Sequence, residues 1–455
     1  MTALLRAIDS AIAAGADSTA IVCGDETLSW AQLDRRADDH AKSLRARGLQ
    51  PGERIACGLD ASLELVIALL GHLRAGFIHV PVNSRYRAAE IEHVIELVRP
   101  AFCLGLSVEP RPLELRSPAP DPALILMTSG TTAQPKGVLH GHASLAAGIG
   151  ALTELWEFSP EDLQVLALPL FHVHGLCIGL IGALMRGVPT VLLKGFQPEV
   201  VCQAMRHGGS VFMGVPTMYS ALLDFFERQP GAADGFRKAR LRTSGSAALS
   251  SDNFRRFKTA TEQTILQRYG MSETLISLSN PLHGERKGGE IGKGVNGFEL
   301  RLEGDGDEGE LWLRGAALMQ GYWQDDVATE AAYTDGWFRT GDRLRRGDDG
   351  SHEHLGRMNV DWIKTGGWRV GAVELERCLM NQGELVEVAV FGLADEHWGE
   401  LVCAAIVNKA GHQPSDAQLD AWMSERLANY KQVRRWFRLT ALPRNALGKV
   451  QKKRL

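Results

Sequence analysis

Short apolar runs alternate with longer amphipathic stretches through most of the chain. Ala20–Cys23, Ile55–Cys57, Phe77–Val80, Val165–Leu168, Val191–Leu193, Val211–Met213 and Ile265–Leu266 with its neighbours read as buried strands. Between them, residues 31–48, 61–74, 86–98, 175–186 and 216–228 place apolar side chains at helical spacing. This βαβα rhythm predicts two mostly parallel sheets covered by helices, an α/β fold. Residues 109–122, EPRPLELRSPAPDP, hold five prolines and predict a connector between two such units. Near residue 306 the texture changes: GELWLRGAALMQGYW and GWFRTGDRLRRGDDGSHEHLGR predict short strands with Gly and Asp turns, a small barrel-like antiparallel part. Beyond Arg357 the pattern resets to a small α+β unit, with strands near 387–392 and 401–407 and a helix at 415–428. The expected division is therefore residues 1–356 and 357–455.

Bulk composition narrows the function. At 455 residues the chain is too long for one core. Hydrophobic content of 45% and charged content of 23% match an ordinary globular protein, and a net charge of −4 gives no reason to expect nucleic acid or an anionic membrane as partner. The most apolar stretch, Val66–Val82, is broken by His72, Arg74 and His79, short of the ~18 uninterrupted residues of a span. The N-terminal MTALLRAIDSAIAAGADS reads as a first helix, not a targeting peptide. The seven cysteines (Cys23, Cys57, Cys103, Cys177, Cys202, Cys378 and Cys403) form no CxxC pair and read as free thiols in a reducing, cytoplasmic setting.

Candidate chemistry concentrates in LMTSGTTAQPKGV, residues 126–138. An apolar run, Leu124–Met127, leads into a turn with four hydroxyls (Thr128, Ser129, Thr131, Thr132), Gly130 and Lys136. A glycine-containing loop of this kind points backbone N–H groups at phosphate oxygens. No glycine directly precedes Lys136, so the loop does not fit GxxxxGK[ST] and is not a P-loop of the NTPase type.

Five further strings follow: GSAAL (245–249), YGMSET (269–274), TGD (340–342), GRMNVDWIKTGGWRV (356–370) and LPRNALGKV (442–450). In this order, and over nearly the whole chain, they resemble the adenylate-forming superfamily of acyl-CoA synthetases, luciferases and peptide-synthetase adenylation domains. The resemblance implies a small, mobile C-terminal domain. It also implies a carboxylate that attacks the α-phosphorus of ATP, releasing pyrophosphate, and a thiol that then displaces AMP. Two unit charges 4 Å apart repel by ~4 kcal/mol at an effective dielectric of 20, so this chemistry is largely neutralisation and positioning.

By the same resemblance, Thr128–Thr132 and Lys136 hold the β- and γ-phosphates, with Thr131 at the reacting end. Glu273 binds Mg²⁺, a hard cation that prefers carboxylate oxygen. Tyr269 stacks on adenine, and Gly245, Ser246, Ala247, Ala248, Gly270, Met271 and Ser272 line the nucleotide. Asp342 accepts the ribose hydroxyls with Arg357 nearby, and Lys449 bridges the carboxylate and the α-phosphate. Gly366, Gly367 and Trp368 meet the coenzyme A arm. The pivot position holds Asn359, where the family commonly has Asp or Lys.

Arg286, thirteen residues after Glu273, is the expected clamp for a second carboxylate, with His172, His174 and Ser279 completing the acid pocket. NPLHGERKGG, FHVHG, GVPTMY and VDWIKTGGW resemble the malonyl-CoA synthetase branch. The expectation is a ligase taking malonate, with methylmalonate as a second candidate, and using ATP, Mg²⁺ and coenzyme A. Rival readings are a ligase for another short or aryl acid, an enzyme loading a carrier protein, and a non-catalytic nucleotide-binding relative. Two histidines in HVH without a third ligand do not make a metal site, and HEH (352–354) reads as an exposed turn.

Overall fold

The computed structural model describes residues 1–113, 120–128, 136–358, 362–365, 368–396, 398–445 and 450–455. Its largest sheet has 14 strands. The strands 164–166, 190–192, 211–214, 241–244 and 266–271 run parallel, as the alternation predicts. The sheet then continues without a break into antiparallel strands 275–279, 290–294, 352–357, 337–346, 308–315 and 298–303. The antiparallel part expected from residue 306 onwards is hydrogen-bonded into the main sheet, because Leu275–Ser279 turns back on Leu266–Met271 and starts the antiparallel half.

A second sheet has six strands and includes 54–57, 78–81, 122–128 and 136–141. One continuous core joins the two sheets. The helix Leu63–Ala75 contributes Val66, Leu69 and Leu70 to it, and the helix His142–Leu155 contributes Leu145, Ile149 and Leu152. The same core holds Leu124 and Leu126 of one sheet and Leu241 and Leu266 of the other. Leu63–Ala75 is buried almost all round, which is why its sequence is nearly uniformly apolar. Ser62 caps its start and Gly76, in the left-handed conformation, ends it.

Residues 362–455 build a third sheet of five strands with its own core, in which Ile363, Val370, Leu375, Leu379, Val390, Val402 and Ile406 meet Leu419 and Met423. Arg377 of the helix Ala372–Met380 pairs with Glu353, and Arg343 lies 5.0 Å over the Trp362 ring, so this unit rests on the 337–357 hairpin. Among the described residues no helix is long and apolar enough to cross a membrane. All seven cysteines are free, and burial is the leading cause that raises each thiol pKa.

The core also takes in imidazoles. His40, His72 and His79 form a chain, with Nε2 of His40 3.1 Å from Nε2 of His72 and Nδ1 of His72 2.9 Å from Nδ1 of His79. Burial pushes His79 down to about 3, His140 to about 4 and His172 to about 3, and depresses His72 and His174 in the same direction. In the unfolded chain these groups titrate near the ordinary ~6.5. Below that pH the unfolded chain takes up protons that the folded chain refuses, so stability is lost as pH falls and is flat above. We expect the urea midpoint to drop steeply from pH 6.5 to 5, with roughly two or more protons taken up on unfolding. A midpoint constant over that interval would refute the buried neutral state.

Candidate functional site

Ligands of open α/β sheets sit outside the carboxyl ends of the strands. Here Thr128, Gly245 and Met271 mark such ends. Gly245 is required by close approach: a Cβ there would lie 2.2 Å from the Arg268 guanidinium carbon. The next residue, Ser246, adopts a left-handed φ of 67°, and Ser246, Ala247 and Ala248 are exposed.

The end of the candidate site expected to hold the nucleotide is organised by Asp342. Strands Trp337–Arg346 and His352–Arg357 pair antiparallel with Asp342 directly opposite Arg357. Nε of Arg357 donates to Asp342 Oδ1 at 3.1 Å, and the Tyr269 hydroxyl donates to Oδ2 at 2.5 Å. Burial pushes this carboxyl up, but hydrogen bonds and charge from His354 first, then Arg357 and Tyr269, outweigh it and hold Asp342 at about 2. The carboxylate is therefore ionised, held between Tyr269, His354 and Arg357.

Glu273 is nearly fully buried, and burial raises its pKa; the Tyr322 hydroxyl, donating to Oε1 at 3.0 Å, works against that rise. The Tyr322 ring carries Lys136 Nζ 4.7 Å from its centroid. Tyr322 thus ties the lysine after the phosphate loop to the acidic residue of YGMSET. His140, on the strand leaving that loop, donates from Nε2 to the Ser272 carbonyl at 2.7 Å. A lone buried carboxylate fits Mg²⁺ held chiefly by phosphate oxygens; among the described residues no group of three His, Cys, Asp or Glu side chains is arranged to cage a metal.

The acid end differs from the expectation for Arg286. Its guanidinium donates to the carbonyls of Pro281, Leu282 and Thr264, so it braces its own loop. Thr264 lies just before the strand Leu266–Met271, at the end away from Met271. Arg286 also approaches Arg242 closely enough to lower its pKa. Residues paired across adjacent strands share a face, and Ser244 opposite Gln267 puts Arg242 on the face away from Arg268.

Arg268 is the basic group that meets His174 and Ser279, two of the residues expected to line the acid pocket. It is 4% exposed, its Nε and Nη2 have no hydrogen-bond partner among the described residues, and burial pushes it down to about 9. It stands opposite Ser279 across the strand pair. His174, with neither ring nitrogen partnered among the described residues, feels the Arg268 charge. His174 begins a π-helical stretch, His174–Ile181, and His172 precedes it, half-buried. Ser279 is committed: its hydroxyl accepts from Trp156 Nε1 at 3.0 Å and donates to the Asn280 carbonyl at 2.8 Å. HEH, expected as an exposed turn, lies in the strand His352–Arg357, with His352 bound to the Gly292 carbonyl.

Ser129, Gly130, Thr131 and Thr132 of the phosphate loop, Asn359, Gly366, Gly367 and Lys449 lie outside the described residues. Trp368 is exposed and stacks on Tyr430 with centroids 4.6 Å apart. Sequence reasoning missed Arg268, Tyr322 and His354. Arg268 had a signal: a cation inside the apolar strand before YGMSET, where burial has to be compensated.

A family model described as AMP-binding enzyme matches residues 8–119 and 108–323, and one described as AMP-binding enzyme C-terminal domain matches 374–449. The human mitochondrial malonate–CoA ligase ACSF3 is 33% identical over 89% of this chain and 82% of its own length. ATP-bound MatB from Rhodopseudomonas palustris superposes with a TM-score of 0.92 at 30% identity, covering 100% of this chain and 98% of that one. A malonyl-CoA ligase with methylmalonyl-CoA and AMP bound gives 0.70 at 34% identity, over 94% of this chain and 97% of that one.

Tyr322→Phe keeps the ring under Lys136 and removes the hydroxyl that favours ionised Glu273. The Glu273 pKa should rise further, moving the acid limb of the rate profile to higher pH and lowering turnover at neutral pH by ~10-fold, the worth of one hydrogen bond to a charged group. An unshifted limb in a pH–rate series would remove Tyr322 from this role.

Proposed function

Because the chain belongs to the AMP-binding enzyme family, we propose that it is an AMP-forming acid–thiol ligase joining a short dicarboxylic acid, foremost malonate, to coenzyme A. Two matched relatives are named for malonate or malonyl-CoA ligation. The observation that carries the diacid reading is Arg268, a buried guanidinium with two nitrogens unpartnered among the described residues, beside the pocket histidine. An uncompensated buried cation is costly, and a ligand carboxylate relieves it. In this reading Arg268 takes the clamp role first expected of Arg286.

One carboxylate of the acid is held by Arg268, with His174 and His172 as walls, and the other faces the α-phosphate of ATP. It attacks phosphorus, pyrophosphate leaves, and the thiol of coenzyme A then attacks the acyl carbon as AMP departs. Lys136 and the phosphate loop neutralise the triphosphate, Tyr269 and the 245–248 loop hold the base, and Asp342 with Arg357 holds the ribose. Glu273 would hold Mg²⁺, which supplies charge neutralisation on the phosphates. Lys449 aligns the reacting oxygens, while Gly366, Gly367 and Trp368 meet the pantetheine arm after a swing about Asn359. A domain division near residue 356 and a reducing, cytoplasmic setting, supported by seven free thiols, complete the proposal.

The test is AMP release from ATP, Mg²⁺ and coenzyme A with malonate, methylmalonate, succinate, acetate, octanoate and benzoate. Malonate should exceed acetate by ~10⁴ in kcat/KM, since a site built for a polar group rejects the analogue lacking it. Arg268→Met should erase that ratio while ATP binding persists. Arg286→Met should keep the ratio and lose ~1–3 kcal/mol of stability through its orphaned carbonyls. A signal confined to monoacids would overturn the diacid reading.

A further inference from the structure

His354 occupies a position that nothing in the assigned chemistry uses. The ladder between Trp337–Arg346 and His352–Arg357 pairs Arg343 with Gly356 and then Leu344 with His354, skipping Leu355. This bulge, with Gly356 at φ 120°, moves the strand by one residue and puts His354 on the face of Asp342. Nε2 of His354 then donates to Asp342 Oδ1 at 3.3 Å, and its ring stacks on Tyr269 with centroids 5.8 Å apart and planes at 28°. The backbone here is pinned, since Arg377 donates to the His354 carbonyl at 3.0 Å and pairs with Glu353. The imidazole, in contrast, reaches towards solvent, with the side chain 26% exposed.

A carboxylate offers about four lone-pair sites, two on each oxygen. On Asp342, Oδ1 is filled by Arg357 and His354, and Oδ2 accepts from Tyr269. Among the described residues no donor fills the remaining site, on Oδ2. A ribose that presents two adjacent hydroxyls to one carboxylate needs a site on each oxygen, so one donor has to leave Oδ1. Arg357 is charge-assisted and locked opposite by the strand register; His354 makes the longer contact.

We propose that His354 is a displaceable ligand of Asp342 that competes with the ribose hydroxyls and thereby sets the enzyme's affinity for ATP and AMP. This rests on the reading that Asp342 holds the ribose. His354 is a positioning residue: it keeps the carboxylate ordered in the empty site and yields it when nucleotide arrives.

Calorimetric binding of ATP, 2′-deoxy-ATP and 3′-deoxy-ATP to the full-length enzyme tests it, with His354→Leu and His354→Gln. His354→Leu should bind ATP ~3- to 10-fold more tightly, the scale of one hydrogen bond, and bind the nucleotide lacking the competing hydroxyl no more tightly. His354→Gln restores a donor and should return the ATP-to-deoxy ratio towards that of the unaltered enzyme. Weaker ATP binding by His354→Leu, or an equal change for all three nucleotides, overturns the competition. Asp342→Ala separates the two layers. If it abolishes ATP binding while the His354→Leu series is flat, only the His354 inference fails; if ATP binding is unchanged, the ribose assignment fails as well.

Discussion

The charge on Asp342 has to be satisfied inside protein, and that requirement fixes the end of the candidate site around it. A carboxylate this deeply buried persists only with donors around it. Arg357 supplies one because the strand register sets it directly opposite, and Tyr269 supplies another from the neighbouring part of the sheet. Holding those three together fixes how the 337–357 hairpin meets the YGMSET turn. Glu273, Tyr322 and Lys136 follow, since Tyr322 links the turn to the strand that leaves the phosphate loop. Acidic and basic groups are thus matched within the protein itself.

The acid end is built on the opposite principle. Among the described residues Arg268 has no anionic partner on its Nε or Nη2, and His174 beside it is unprotonated and unpartnered. Under the proposed function, matched charges would order the site for a nucleotide whose own phosphates need neutralising, and an unmatched cation would select a ligand that brings its own charge. The two ends are separated by little more than the Gly245 turn, whose missing side chain leaves room for the guanidinium.

Much of this was legible in the sequence. The alternation of apolar runs identified the strands at Thr19–Cys23, Arg54–Cys57 and Val211–Gly214 within a residue or two, because buried parallel strands are uniformly apolar. The family strings picked out Tyr269, Glu273 and Asp342, which the fold brings to one mouth. Arg286 is expected beside the pocket but braces its own loop, because the chain reverses at 272–274 and the strand Leu275–Ser279 runs back alongside Leu266–Met271 towards Thr264, whose carbonyl Arg286 bonds. His354 was misjudged because a one-residue bulge decides its face, and a bulge leaves little trace in alternation. Tyr322 makes its contacts across 49 residues of chain to Glu273, beyond any local pattern.

The buried thiols carry a consequence for fidelity. An acyl-adenylate is an electrophile waiting for sulfur, and any ionised cysteine within reach would be acylated in place of the true acceptor. Burial raises the pKa of all seven cysteines of this chain, and a thiol kept protonated is a poor nucleophile. The protein thereby handles a thiol-reactive intermediate without offering it a competing thiolate, and self-modification is suppressed by the same packing that forms the core.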